Sequence, residues 1–127
     1  MSNIGKDQSF SELLSRFVEG FHPWIEVDYG WAVLVKECHE KLISIDPDYK
    51  LVQVKEKFGG LRFYFNPSIP VYTRKMHDVI ADVERRSFSI CEICGEVGKL
   101  RKTLKTNWYK TLCDKHANKE MYKNADE

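Results

Sequence analysis

Apolar positions along the chain fall into two rhythms, one helical and one alternating. Leu13, Leu14, Phe17, Val18 and Phe21 recur at helical spacing behind Ser9-Phe10-Ser11-Glu12. That quartet reads as a capping box, with Ser9 as N-cap and Glu12 at the third helical position, so the pattern predicts a short amphipathic helix over 9–20 that ends near Gly20. Pro23 and Trp24 open a connector. Trp31, Leu34, Val35, Cys38, Leu42 and Ile45 share one face of a second helix, over 28–45, which Asp46-Pro47 stops. A third helix, over 70–86, follows Pro70 and gathers Tyr72, Met76, Val79, Ile80 and Val83 on one side. Arg85 and Arg86 fall in its last turn, where cations complement the helix dipole.

Between the second and third helices the period changes to two. Residues 51–66 form two β-rich runs around Gly59-Gly60, a dipeptide that takes the positive φ angles of a two-residue hairpin turn. That turn pairs Phe58 with Leu61, Lys57 with Arg62, Glu56 with Phe63, Lys55 with Tyr64 and Val54 with Phe65. Val52, Val54, Phe58, Leu61, Phe63 and Phe65 then share a core face, and Gln53, Lys55, Lys57, Arg62 and Tyr64 share the other. Glu56 is the anomaly, because its carboxylate falls among aromatic residues and needs a partner or a place at the sheet edge.

The chain has 127 residues, 43% hydrophobic, enough to bury one genuine core. The expected fold class is α+β, with helices packed on a β-hairpin or small antiparallel sheet over 1–88 and a zinc finger over 89–127. No apolar run approaches the length of a membrane span, and the N-terminus MSNIGKDQSF lacks the layout of a signal peptide, so a cytoplasmic location is expected. Net charge is only +1, but it is unevenly spread. Nine acids face four bases up to Tyr49, whereas from Val97 to Lys123 the bases Lys99, Arg101, Lys102, Lys105, Lys110, Lys115, Lys119 and Lys123 face only Asp114 and Glu120. An acidic half and a basic half suit different partners, or are two solvated faces.

Three of the four cysteines stand at metal-ligand spacing. Cys91-Glu92-Ile93-Cys94-Gly95 is a knuckle whose two-residue gap aims both thiolates at one point while the glycine relieves the backbone; Cys113-Asp114-Lys115-His116 supplies a second pair. Four such ligands fit one structural zinc ion and leave no open position for substrate or catalytic water. Few apolar residues lie in this segment, so the ion is expected to supply much of its folding energy. The layout predicts a knuckle, a hairpin over roughly 99–112 and a helix from Cys113, similar to treble-clef zinc fingers. Some treble clefs are HNH nucleases with a catalytic histidine in the hairpin, and this chain has no histidine between Cys94 and Cys113. Cys38 sits in the core stripe while its neighbour His39 points elsewhere; His22 lies in a connector and His77 among charged helix residues. The sequence predicts no enzyme.

The run Lys55-Glu56-Lys57-Phe58-Gly59-Gly60-Leu61-Arg62-Phe63-Tyr64, the Cys91 knuckle, and Trp108-Tyr109-Lys110-Thr111-Leu112-Cys113 together resemble a family of small proteins encoded by bacteriophages and bacterial genomes. Its members share a KEKFGxLRFY hairpin and a C-terminal zinc finger. The resemblance covers roughly 51–116, implies a phage or prophage context and a zinc site, and leaves activity open. The expected function is non-enzymatic binding of nucleic acid or a nucleic-acid-processing complex in a bacterial host cell, with no membrane and no small-molecule substrate. Lys55, Lys57, Arg62 and Tyr64 are the expected first contact surface, and Arg101, Lys102 and Lys105 belong to the second. The alternative is a phage-encoded inhibitor that meets a bacterial defence protein by protein–protein contact.

Overall fold

The computed structural model describes residues 10–103, 108–119 and 122–125; the expected N-cap Ser9 and contact residue Lys105 lie outside them. Helix α1 spans only Ser11–Ser15, shorter than the sequence rhythm predicts. A competing partner ends it. Leu51 donates its N–H to the Arg16 carbonyl (2.9 Å) and accepts from the Val18 N–H (2.8 Å), drawing 16–18 into strand-like pairing. A 3-10 turn over Tyr29–Trp31 leads into α2, Ala32–Ile45, which stops before Pro47 as expected. A second 3-10 turn, Pro70–Tyr72, leads into α3, Thr73–Ser87. The two long helices pack on each other, burying Leu34, Val35, Cys38 and Leu42 from α2 and Met76 and Val83 from α3. Arg86 clasps Glu37 across them, with Nη2 3.0 Å from Oε1.

Strands β2 (Lys50–Lys57) and β3 (Gly60–Asn66) form the expected hairpin, and a two-residue strand β1, Ile25–Glu26, joins β2 in parallel. The sheet order is β1-β2-β3. β1 sits in the stretch whose sequence reads as a connector, because two residues carry no period. The hairpin register corrects the sequence reading. Lys57 pairs with Gly60, Glu56 with Leu61, Lys55 with Arg62, Val54 with Phe63 and Gln53 with Tyr64. Phe58 (φ 54°) and Gly59 (φ 87°) are therefore the turn residues, in place of Gly59 and Gly60. Gly60 is needed for another reason, since a Cβ there would lie 2.4 Å from Phe88 Cζ.

Each residue's partner moves by two positions, an even number that leaves the two faces as the alternation predicts near the turn, so Val54, Leu61 and Phe63 are buried. An irregularity between Leu51 and Gln53 puts Leu51, not Val52, in the core. Phe58, expected on the core face, is 64% exposed because it forms the turn.

A second sheet has the order β5-β4-β6, from β4 (Lys99–Thr103), β5 (Tyr109–Leu112) and β6 (Tyr122–Asn124). Helix α4, Asp114–Lys119, follows β5. Knuckle, hairpin and helix thus follow the treble-clef layout, with β6 as a strand the sequence did not announce. Among the described residues, Cys91, Leu112 and Ala117 form the buried centre of this part. The fold is α+β with a C-terminal cysteine cluster, and among the described residues no helix is long and apolar enough to cross a membrane.

Candidate metal centre and adjoining groove

The knuckle is a tight reversal between Ile90 and Val97, which form an isolated antiparallel bridge. Cys91 N–H donates to the Glu96 carbonyl (2.7 Å) and Gly95 N–H to the Cys91 carbonyl (2.9 Å), and Gly95 takes a positive φ of 83°. Cys113 directly follows β5, and the Ala117 N–H bonded to its carbonyl (2.8 Å) opens α4, placing His116 one turn on. The ligand atoms of Cys91, Cys94, Cys113 and His116 all lie within 4.8 Å of one another. Cys94 Sγ is 3.8 Å from Cys113 Sγ, while His116 Nδ1 is 3.7 Å from Cys91 Sγ and 3.2 Å from Cys113 Sγ.

A tetrahedral ion holding sulfur at about 2.3 Å spaces its ligands about 3.8 Å apart. The cluster has that spacing and could hold one metal ion. Cys113 is prepared for the thiolate form. A hydrogen bond from the His116 backbone N–H, followed by its side chain and the neighbouring thiols, outweighs burial and brings its pKa down to about 6. Cys38 is a contrast, since burial pushes its thiol up to about 12, as befits an inert core residue.

Main-chain and side-chain bonds lock this segment to the helical core. Gly30 N–H donates to the Glu92 carbonyl (2.7 Å), Trp31 Nε1–H to the Ile90 carbonyl (2.8 Å), and Thr111 Oγ1–H to the Gly59 carbonyl (2.6 Å). The approach at Gly30 is so close that a Cβ would sit 2.1 Å from the Cys91 carbonyl oxygen. Between the two parts lies a cleft of about 400 Å³ lined by Trp24, Glu26, Asp28, Glu56, Glu92 and Lys110, among others. Glu92 is buried there, accepting from Asp28 N–H (3.2 Å) and Lys110 Nζ (3.3 Å). Burial raises the Glu92 pKa although Lys110 pulls it down. Burial opposes the charge on Lys110 as well, but Glu92 and Glu56 outweigh it and raise its pKa.

Glu56 finds the partner its position demands. It accepts from Gly59 N–H (2.8 Å), and Lys110 Nζ stands 4.0 Å away.

The expected contact residues divide. Lys55 and Lys57 join Phe58, Trp108 and Tyr109 around a groove of about 290 Å³ between hairpin and finger. Lys57 Nζ lies 5.6 Å from the Phe58 ring centroid. Arg62, on the same face as Lys55, is committed to Glu84 at 3.1 Å, and Tyr64 lies further along β3, partly exposed. Lys102 is half-buried on β4 opposite Tyr109. Arg101 corrects its expected place on the surface: it is buried, donating to the Leu112 carbonyl, Asn124 and Asp114. It is scaffold for the finger. Phe58 is the groove residue sequence reasoning missed as a contact, although an aromatic beside Gly-Gly at a hairpin apex was a usable signal. No protein-family model, curated protein or solved structure matches the chain.

Proposed function

We propose that the protein is a zinc-stabilised, non-enzymatic module of phage or prophage type that binds nucleic acid. Cys91, Cys94, Cys113 and His116 hold the ion, and a closed Cys3His set leaves it a structural role. The observation that carries the binding role is the groove in which Lys55 and Lys57 of the hairpin meet Trp108 and Tyr109 of the finger. Lysines at a groove rim neutralise phosphates, and exposed rings offer faces for bases. The metal supports this role indirectly, because Tyr109 in the groove wall belongs to the strand that runs directly into Cys113.

Native mass spectrometry combined with a binding titration tests the reading. One zinc per chain is expected, with affinity for nucleic acid that falls steeply with salt. Lys55→Glu together with Lys57→Glu should weaken binding and flatten the salt slope by about one to two. A zinc-loaded protein that binds neither DNA nor RNA at low salt overturns it.

A further inference from the structure

Phe58 has a backbone conformation that suits its ring poorly. It is the described non-glycine residue with a positive φ, 54°, and with Gly59 at 87° it forms a turn whose first position favours asparagine, aspartate or glycine. The surrounding fold dictates the turn itself. Gly59 N–H donates to Glu56, the Gly59 carbonyl accepts from Thr111, and a Cβ on Gly59 would lie 2.4 Å from Leu100 Cδ1. Those contacts need the backbone path and make no use of an aromatic side chain at position 58. Nor does packing use it fully, since the ring is 64% exposed. With little intramolecular return beyond Lys57 Nζ 5.6 Å from its centroid, a strained, exposed aromatic is the signature of a side chain kept for contact with something else.

Its surroundings name the chemistry. Trp108, also 64% exposed, lines the same groove, so two aromatic side chains border one space. Lys55 and Lys57 flank them, and the one acid in the lining, Glu56, is already engaged by Gly59 N–H with Lys110 close by. Flat apolar faces beside cations, with the local carboxylate occupied, match a heterocyclic base carried on a phosphodiester. In a duplex those base faces are covered by their neighbours, whereas an unpaired base offers them freely.

Resting on the nucleic-acid reading above, we infer that the ligand is single-stranded, with an unpaired base stacked in the groove against Phe58 and Trp108. Phe58 is then a specificity-determining residue, and its strained backbone is the concession the fold makes to present it.

The test is fluorescence anisotropy of the zinc-loaded full chain with labelled oligothymidylate, oligouridylate, and an oligothymidylate–oligoadenylate duplex. Wild type should prefer a single strand to the duplex by about ten-fold or more. Phe58→Asn, which suits the turn better, should lose about ten-fold in single-strand affinity while melting no lower than wild type. Trp108→Phe should retain affinity that Trp108→Ala loses. Equal binding of strand and duplex, or Phe58→Asn with wild-type single-strand affinity, overturns this inference and leaves the nucleic-acid reading standing. No binding to any probe overturns both.

Discussion

Replacing Lys110 by methionine removes the cation that, among the described residues, is bonded to buried Glu92, while keeping the apolar stem. At 3.3 Å and an effective dielectric of about 20, the pair attracts by about 5 kcal/mol. The Lys110 side chain is 28% exposed, so solvent screens part of this. Glu92 at 3% exposure is not screened comparably, and leaving it unpaired sets the net loss at about 3 kcal/mol. For a chain of 127 residues that corresponds to a midpoint lowered by roughly 10 °C.

The loss has a definite pH dependence. Burial already raises the Glu92 pKa above its ordinary 4.5, and losing Lys110 raises it further, so folding favours the protonated acid. The penalty is therefore absent below the unfolded value of 4.5, grows as pH rises above it, and is complete above the folded value. Urea denaturation of variant and wild type side by side at saturating zinc, repeated from acid to neutral pH, measures it as a difference in which the metal linkage common to both cancels. Adding Glu92→Gln should recover most of the stability at neutral pH. A Lys110→Met protein as stable as wild type at neutral pH, or one whose loss does not vary with pH, refutes the account.

Gly30→Ala should force the 3-10 turn away from the Cys91 and Glu92 carbonyls, which a Cβ would approach to 2.1 and 2.4 Å, at a cost of about 1–3 kcal/mol. Because the displaced atoms belong to the knuckle, competition with a chelator should show metal held about ten-fold more weakly; unchanged metal affinity would separate the two. Glu37 is held down to about 2 from an ordinary 4.5, first by the hydrogen bond from Arg86. Its stabilising contribution is present above pH 4.5 and fades as pH falls toward 2, on the order of 1 kcal/mol after screening. Glu37→Gln should remove that part of the acid sensitivity, and identical acid profiles for variant and wild type would disprove it.

The sequence was most legible where one physical rule acts alone. Ligand spacing located Cys91, Cys94, Cys113 and His116 because tetrahedral geometry constrains the loop between paired ligands. Alternation found Val54, Leu61 and Phe63 on the core face because the pleat has a period of two, and failed at Val52 and Phe58, where an irregularity and the turn break that period. Where two rules competed, the reading slipped. Gly59-Gly60 looked like the turn, yet Gly60 answers to Phe88 and the turn falls on Phe58-Gly59. Helical spacing after Leu13 was overridden by the main-chain pairing of 16–18 with Leu51. Arg101 carried a charge that suggested solvent, but its position on the central strand of the second sheet turns it toward Asp114 and Asn124. β1, β6 and the groove depend on contacts distant in sequence, which no local pattern encodes.

Synthesis delivers Trp31 to the growing chain 59 residues ahead of Ile90, whose carbonyl accepts the indole N–H in the finished core. Burying that N–H without its acceptor costs about 1–3 kcal/mol, so a nascent chain stays short of its native core until the knuckle has left the ribosome. If the Cys91, Cys94, Cys113 and His116 cluster takes up its ion at that point, the last stage of packing coincides with ion capture. On the zinc reading proposed above, chains short of the ion would linger with apolar surface uncovered, and its supply would govern how much protein escapes chaperones and proteases.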